Sequence, residues 1–139
     1  MSGPQNWNQG VIEEFRANQG QVGGNWAGRP LLLLTTTGAK SGQPRTQPLM
    51  YQRQGDRLFV FASKGGAPSN PDWYYNLLAH PAVTVELGDQ TFQANAKPVT
   101  GAERNRVYDE WAKRFPQFGE YQEKTNRTIP VIELDPRGT

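Results

Sequence analysis

Two loops of similar composition are the parts of this sequence best suited to bind an anion. The first, residues 35–46, follows four consecutive leucines and combines glycines with the cations Lys40 and Arg45. The second, residues 63–71, follows another apolar run and contains Lys64 beside two glycines. Glycine lets several backbone amides converge on one point, and the cations add positive charge. Either loop alone reads as a hairpin loop with solvated cations, but two such loops at strand ends favour an anion site.

Acid–base or nucleophilic catalysis by side chains has little support. The chain has no cysteine and one histidine, His80, which precedes a proline at a predicted helix end and is better explained as a cap for carbonyl groups. No pair of carboxylates stands in apolar surroundings that would raise one pKa. The absence of cysteine excludes disulfides and thiolate metal sites, and the carboxylates show no ligand spacing, so no metal site is predicted.

Aromatic residues are concentrated on both sides of the second loop. They are Tyr51, Phe59, Phe61, Trp73, Tyr74 and Tyr75. Beside an anion site, such a set suits a planar, anionic cofactor. Each of these residues, Phe59 and Phe61 above all, is alternatively an ordinary core residue.

Short strands are the elements that must position these loops. Apolar and alternating runs predict strands at 31–37, 46–53, 58–62, 83–87, 91–99 and 129–134. Gly88 and Asp89 form a two-residue hairpin turn signal. Pro48 and Pro130 lack an amide proton, so we expect their strands to lie at a sheet edge or to carry a bulge there.

Helices are predicted around these strands, at 7–19, 71–80, 101–115 and 118–125. The second is expected to start at the N-cap Asn70, and the third at a capping box formed by Thr100 and Glu103. Trp26, in a glycine-rich linker, is expected to pack on the barrel or on a ligand. The pattern predicts an α+β fold, a mainly antiparallel barrel of about six strands with peripheral helices. We divide the chain into a tail and helix at 1–19 and one barrel domain at 20–139.

The composition limits the possible partners. The chain has 139 residues and a formal net charge of +2, which is too small to indicate non-specific binding to nucleic acid or membranes. No apolar run approaches the length of a membrane span, and the N-terminus lacks the features of a signal peptide. We therefore expect a cytoplasmic protein and a monomer, with a peripheral membrane contact through the first helix left open.

Three blocks of the sequence resemble the signatures of the deazaflavin-dependent nitroreductase family. They are LLLTTTGAKSGQPR at 32–45, FASKGGAP with NPDWYYNL at 61–77, and TNRTIPV at 125–131. The resemblance covers residues 30–135 nearly without gaps. It implies a split β-barrel related to FMN-binding oxidases, and coenzyme F-420, a deazaflavin with a phosphate and an oligoglutamate tail. It further implies hydride transfer to an electron-poor small molecule such as a quinone, an activated enone or a nitroaromatic.

The same resemblance implies roles for individual residues. The phosphate and tail would be held by Lys40, Gly42, Arg45, Thr46, Lys64, Gly65 and Gly66. The deazaflavin would contact Pro48, Met50, Ala62, Ser63 and Trp73. Family members that reduce nitroimidazole prodrugs carry tyrosines where this chain has Phe115, Phe118 and Tyr121. These three residues would line the substrate side, with Tyr121 and Ser63 as catalytic candidates, and the two phenylalanines argue against prodrug reduction.

Two other functions are compatible with the same residues. The first is an FMN-dependent oxidoreductase on the same split barrel. The second is a non-enzymatic small-barrel module that binds single-stranded nucleic acid through basic loops and stacking aromatic rings. The weak net charge argues against the second function, so no nucleic-acid partner is expected.

Overall fold

The computed structural model describes residues 4–23 and 30–136 of the chain. The strands are β1 Leu31–Thr37, β2 Pro44–Gln54, β3 Arg57–Phe61, β4 Ala82–Leu87, β5 Gln90–Val99 and β6 Val131–Pro136. The helices are α1 Pro4–Ala17, α2 Asp72–Ala79, α3 Gly101–Arg114 and α4 Gln117–Lys124, with a 3-10 turn at Lys64–Gly66.

The strands form a closed antiparallel barrel in the order β1-β2-β3-β6-β5-β4. This architecture confirms the predicted α+β fold with a barrel of about six strands and peripheral helices. β6 pairs with β3 on one side and with β5 on the other, so the expectation that Pro130 marks an edge strand is wrong. The strand begins one residue after the proline, at Val131, and its hydrogen-bond ladder therefore does not need the missing N–H.

The two halves of β2 have different neighbours. Residues 44–50 pair with β1, whereas residues 51–54 pair with β3. In the described part of the chain, no strand pairs with the other side of the first half. Pro48 lies in this half, opposite Leu33, and so occupies the edge position predicted for it. The barrel wall is therefore split next to Pro48.

The four leucines of β1 are buried on both faces of the barrel wall. Leu32 and Leu34 belong to the cluster inside the barrel, while Leu31 and Leu33 pack outside it with Phe15 of α1. All four leucines are at most 5% exposed. Full burial of one such side chain contributes about 2 kcal/mol to stability, which explains why this run anchors both the barrel and α1.

Two helices begin close to their predicted positions, but without the predicted caps. Thr100 precedes α3 and makes no side-chain cap hydrogen bond. Its expected partner Glu103 instead accepts a hydrogen bond from Arg57 at 2.7 Å. Asn70 does not cap α2, because that helix begins two residues later, and its Oδ1 accepts from Arg127 at 2.7 Å. Tertiary partners have displaced the local contacts.

The predicted packing of the Trp26 ring falls outside the described residues. The division into 1–19 and 20–139 remains a prediction. None of the helices in the described ranges is long and apolar enough to cross a membrane.

Candidate active site

A cavity of about 260 Å³ lies at the split beside β2. It is lined by Pro48, Leu49, Met50, Phe61, Ser63, Lys64, Pro71, Trp73, Gln117, Phe118 and Tyr121. These residues come from β2, the end of β3 and the turn after it, the start of α2, and α4. An apolar cavity with a few polar groups is the usual form of a small-molecule site. The structure thus brings together Pro48, Met50, Ser63, Lys64 and Trp73, five of the predicted cofactor residues.

Trp73 forms the boundary between this cavity and the barrel interior. Its side chain is 4% exposed and packs with Leu77 in the cluster inside the barrel. The same residue also lines the cavity. Trp73 is therefore a core residue by burial and a site residue by position.

An aromatic cluster fixes α4 against α3. The Phe61 ring stacks on Trp111 with centroids 4.7 Å apart, and Phe118 meets Trp111 edge-on at 5.3 Å. The Tyr121 ring meets Phe118 edge-on at 5.2 Å. The Tyr108 hydroxyl donates to the Phe118 carbonyl oxygen at 2.6 Å, and burial raises the pKa of Tyr108 to about 12. These contacts place Phe118 and Tyr121 on the cavity wall.

Phe115 does not belong to this wall. It is the residue after α3, and its ring packs on Trp111 at 4.6 Å with the Arg114 guanidinium 5.2 Å from its centroid. The three residues predicted to line the substrate side are therefore divided by the structure. Phe118 and Tyr121 line the cavity, and Phe115 does not.

The turn after β3 has a backbone conformation suited to binding an anion. Ser63 is right-handed, with φ −78° and ψ −41°, and Lys64 has a φ of +48° in the left-handed region. A right-handed residue followed by a left-handed one turns successive N–H groups toward one point. Gly66, at φ +82°, packs against α4 so closely that an added Cβ would lie 2.8 Å from the Tyr121 carbonyl oxygen.

Arg127 holds this turn in place. Its guanidinium donates to the carbonyl oxygens of Ser63 at 2.7 Å, Ala67 at 2.9 Å and Ala62 at 3.1 Å. It also donates to Oδ1 of Asn70 at 2.7 Å. Partial burial lowers the pKa of Arg127 from its ordinary value, an effect partly offset by nearby tyrosines. No role was predicted for Arg127 from the sequence, although this residue lies in the third signature block, 125–131.

The first glycine loop lies outside the lining of this cavity. Asn76 of α2 ties it down, because its Oδ1 accepts from the Ala39 amide at 3.0 Å and its Nδ2 donates to the Thr36 hydroxyl at 3.2 Å. Lys40 and Gly42 are exposed in this loop. They are close in sequence to the cavity strand β2 but are not part of the cavity wall.

Arg45 and Thr46 line a second cleft, of about 350 Å³, between β2 and α1. Arg16 of α1 lines the same cleft and forms an ion pair with Glu86 at 2.8 Å. The Thr46 hydroxyl is 2.7 Å from that of Thr35. The predicted phosphate and tail residues thus fall into three places: the turn at 64–66, the loop at 40–42 and this cleft.

Gln117 lines the cavity but was not predicted as a site residue from the sequence. It stands four positions before Tyr121 on α4, which puts the two side chains on one helix face about 6 Å apart. Neither side chain hydrogen-bonds to another described residue. The one-turn spacing was a usable signal. Leu49 was not predicted either, whereas Phe61 was named only among the aromatic residues that suit a planar cofactor and Pro71 only as part of the second loop.

This arrangement can bind a planar anionic molecule beside a second small molecule. The turn supplies amide donors and a lysine, the walls are largely apolar, and Gln117 and Tyr121 supply uncharged donors. Within residues 4–23 and 30–136, no group of three or more His, Cys, Asp or Glu side chains could hold a metal ion. None of the lining side chains is an electron donor for a substrate, so redox chemistry here needs a bound cofactor.

Comparison with known proteins gives matches over nearly the whole chain. Residues 7–136 match the family profile described as F420H(2)-dependent quinone reductase. An F420H(2)-dependent quinone reductase of Mycobacterium tuberculosis is 42% identical over an alignment of 130 positions, and the match covers 88% of this chain and 85% of the relative. These matches confirm the resemblance to deazaflavin-dependent enzymes found in the sequence.

Two solved structures share the fold at substantial sequence identity. The F420-H2 dependent reductase FDR-A superposes with a TM-score of 0.70 at 42% identity, over 77% of this chain and 95% of that one. A second structure, described as a domain-swapped dimer, has a TM-score of 0.73 and 36% identity over 96% of this chain and 100% of its own. The expectation of a monomer conflicts with this second relative.

Proposed function

Because this chain belongs to the F420H(2)-dependent quinone reductase family, we propose that a quinone is reduced in its cavity with electrons from reduced coenzyme F-420. The observation that carries the proposal is the family match over residues 7–136, a range that contains every lining residue of the cavity. The FMN-dependent and nucleic-acid-binding alternatives find no support among these relatives.

The bound cofactor supplies two electrons as a hydride, together with a proton. These two hydrogens would convert a bound quinone to its hydroquinone. The chain must hold the two molecules in contact, orient them and limit access of water. The apolar lining residues Leu49, Phe61 and Phe118 suit the last of these tasks.

We assign the cofactor to the side of the cavity formed by β2, the turn and α2. Its ring would contact Pro48, Met50, Ser63 and Trp73, with Ala62 directly before the turn. Its phosphate and tail would be held by Lys64, Gly65 and Gly66 and, outside the cavity, by Lys40, Gly42, Arg45 and Thr46. The αR–αL conformation at the turn and the positive charges support this assignment.

We assign the quinone to the side formed by α4. Negative charge develops on a quinone oxygen as the hydride arrives, and a hydrogen-bond donor aimed at that oxygen lowers the barrier by a few kcal/mol, about 3 in well-studied cases. Tyr121 and Gln117 are the donors that α4 offers. The Ser63 hydroxyl, at the turn, is the second catalytic candidate.

The same wall limits the acceptors that we expect. Phe118 is apolar, and Phe115 lies outside the lining, so Tyr121 is the one hydroxyl that the three positions provide. We therefore propose that quinones are reduced well and bicyclic nitroimidazoles poorly.

Steady-state kinetics with reduced F-420 and a 1,4-naphthoquinone test the proposed function. We expect saturable turnover, followed as the return of the absorbance of oxidised F-420, and binding of oxidised F-420 measured by fluorescence quenching. FMN serves as the comparison cofactor. Tight binding of FMN without binding of F-420 would contradict the cofactor assignment. Binding of F-420 without turnover of any quinone would contradict the acceptor assignment.

The assembly state is also open to a proposal. A relative that covers 96% of this chain is described as a domain-swapped dimer, and we propose that this chain dimerises too. Light scattering on the purified protein would decide between monomer and dimer. The cytoplasmic location stays a prediction from the sequence.

A further inference from the structure

The guanidinium of Arg127 forms hydrogen bonds with one short loop, within residues 62–70. It donates to the carbonyl oxygens of Ala62, Ser63 and Ala67 at 3.1, 2.7 and 2.9 Å, and to Oδ1 of Asn70 at 2.7 Å. A guanidinium presents five N–H donors in a fixed planar fork. These four contacts therefore fix three peptide carbonyls of residues 62–67 relative to the segment that leads into β6.

The direction of these carbonyls decides where the neighbouring amides point. A peptide unit is planar and trans, so the N–H after a carbonyl points the opposite way. Because the carbonyls of Ala62 and Ser63 face the guanidinium of Arg127, the N–H groups of Ser63 and Lys64 point away from it. Neither amide donates to an acceptor within the described residues. Both residues line the cavity, whereas Arg127 does not.

The backbone at this point is one that the chain does not adopt without support. Lys64 has a φ of +48°, in a region that side chains with a Cβ disfavour. The turn's own hydrogen bonds, from the Gly66 amide to the Ser63 carbonyl oxygen at 3.0 Å and from the Ala67 amide to the Lys64 carbonyl oxygen at 3.1 Å, contribute to its stability. Arg127 supports it from one side, and the packing of Gly66 against α4 supports it from the other. The combination of right-handed Ser63 and left-handed Lys64 is the conformation in which consecutive amides bind an anionic oxygen.

We infer that Arg127 is a positioning residue. It orients the peptides at 62–64 so that the amides of Ser63 and Lys64 donate hydrogen bonds to an oxygen atom of the cofactor. This inference rests on the proposed function, because the acceptor oxygen belongs to F-420. Arg127 acts through the backbone rather than by touching the cofactor. Its positive charge, held just behind the turn, also favours an anion there.

The test compares Arg127→Lys with Arg104→Lys. Lysine keeps the positive charge but loses the planar fork, so it cannot hold three carbonyls at once. Arg104 is the control, because it is 9% exposed and also donates to a carbonyl oxygen, that of Ile129, at 2.7 and 3.1 Å. Its guanidinium further donates to Gln122 Oε1 at 2.7 Å and to Asn105 Oδ1 at 3.2 Å, but to no residue of the turn at 62–67, and it does not line the cavity. We expect both variants to lower the thermal midpoint. Only Arg127→Lys should weaken F-420 binding, by about tenfold, the effect of losing one charge-assisted hydrogen bond.

Kinetics give a second reading that a purely structural role would not change. In Arg127→Lys the KM for reduced F-420 should rise, while the KM for the quinone stays near that of the unmodified enzyme. Cofactor affinities that agree among Arg127→Lys, Arg104→Lys and the unmodified chain would overturn the inference. If Arg127→Lys does not fold, Asn70→Ala removes one of the four contacts and should weaken F-420 binding in the same direction by a smaller factor. Unchanged binding in that variant would overturn it equally. Failure of the proposed function is distinguishable, because the unmodified chain itself would then not bind F-420.

Discussion

Replacing Gly66 by alanine tests how the two sides of the cavity are joined. The turn that follows β3 packs against α4 at this glycine, without room for a side chain. A Cβ on Gly66 would lie 2.8 Å from the Tyr121 carbonyl oxygen, 3.0 Å from its Cα and 3.2 Å from the Cβ of Lys124. Two of these three atoms are backbone, so either α4 or the turn must move.

The loss in free energy of unfolding that we expect for Gly66→Ala is the sum of two separate contributions. Gly66 has a φ of +82°, a region that disfavours residues with a Cβ by about 1–2 kcal/mol. Forcing a methyl group into a filled space costs a further 1–3 kcal/mol or so. We therefore expect Gly66→Ala to reduce the free energy of unfolding by about 2–5 kcal/mol.

Gly55→Ala is the matched control for the backbone cost. Gly55 has a φ of +62°, but an added Cβ there would meet nothing within 4 Å. This variant should lose only the first cost, about 1–2 kcal/mol. The difference between the two variants then measures the steric contact with α4 alone.

Denaturant unfolding of the three proteins measures these free energies, and quinone kinetics on the same samples measure the effect on the site. In Gly66→Ala the quinone KM should rise, because Gln117 and Tyr121 move with α4, whereas Gly55→Ala should leave it unchanged. Stability of Gly66→Ala equal to that of Gly55→Ala, together with quinone kinetics like those of the unmodified enzyme, would contradict a steric contact between the turn and α4.

Four further predictions concern individual residues of the site and of the aromatic cluster behind it. Replacing Lys40 or Arg45 by alanine should weaken F-420 binding, about tenfold in at least one case, and added salt should weaken it too; unchanged affinity in both would make these residues structural. Trp73→Phe should keep the circular dichroism spectrum and weaken F-420 binding; loss of fold without a separate binding defect would leave Trp73 a core residue only. Tyr121→Phe should lower the quinone turnover rate about tenfold or more while changing F-420 affinity less, and an undiminished rate would remove its catalytic role. Burial raises the pKa of Tyr108 to about 12, against about 10 for an exposed tyrosine. The unfolded chain therefore loses the phenol proton at a lower pH than the folded chain, and the free energy of unfolding should fall as pH rises from about 10 to 12. The measurement is the unfolding free energy against pH, and Tyr108→Phe should remove this part of the slope.

The strands could be predicted because their signals are local. Gly88 and Asp89 separate β4 from β5 as expected, and the four leucines of β1 are buried on both faces. The helix caps could not be predicted in the same way. Asn70 and Thr100 are good N-caps by type, but distant arginines bind Asn70 and the capping partner of Thr100. A rule based on neighbouring residues alone cannot predict these competing hydrogen bonds from distant arginines.

The site could be predicted only where one short segment supplies it. Ser63, Lys64 and Trp73 lie within eleven residues of each other, and the structure places all three on the cavity. Each contact of Arg127 joins two residues that are between 57 and 65 positions apart in the sequence, and no periodicity or spacing reveals such contacts. The position of Arg45 likewise depends on how β2 meets α1, so its cleft could not be predicted from its loop.

α4 connects the two sides of the cavity through separate contacts. The turn at 64–66 packs against α4 at Gly66. In addition, Nε2 of Gln122 in α4 donates to the Arg127 carbonyl oxygen at 2.8 Å. The oxygen of the same Gln122 side chain accepts from the Ile129 amide at 3.0 Å. Arg127, whose guanidinium holds the turn, is therefore hydrogen-bonded through its carbonyl oxygen to α4, the helix that carries Tyr121. Gly66→Ala, which forces the turn against α4, and Tyr121→Phe on α4 should therefore have non-additive effects on the quinone kinetics of this enzyme.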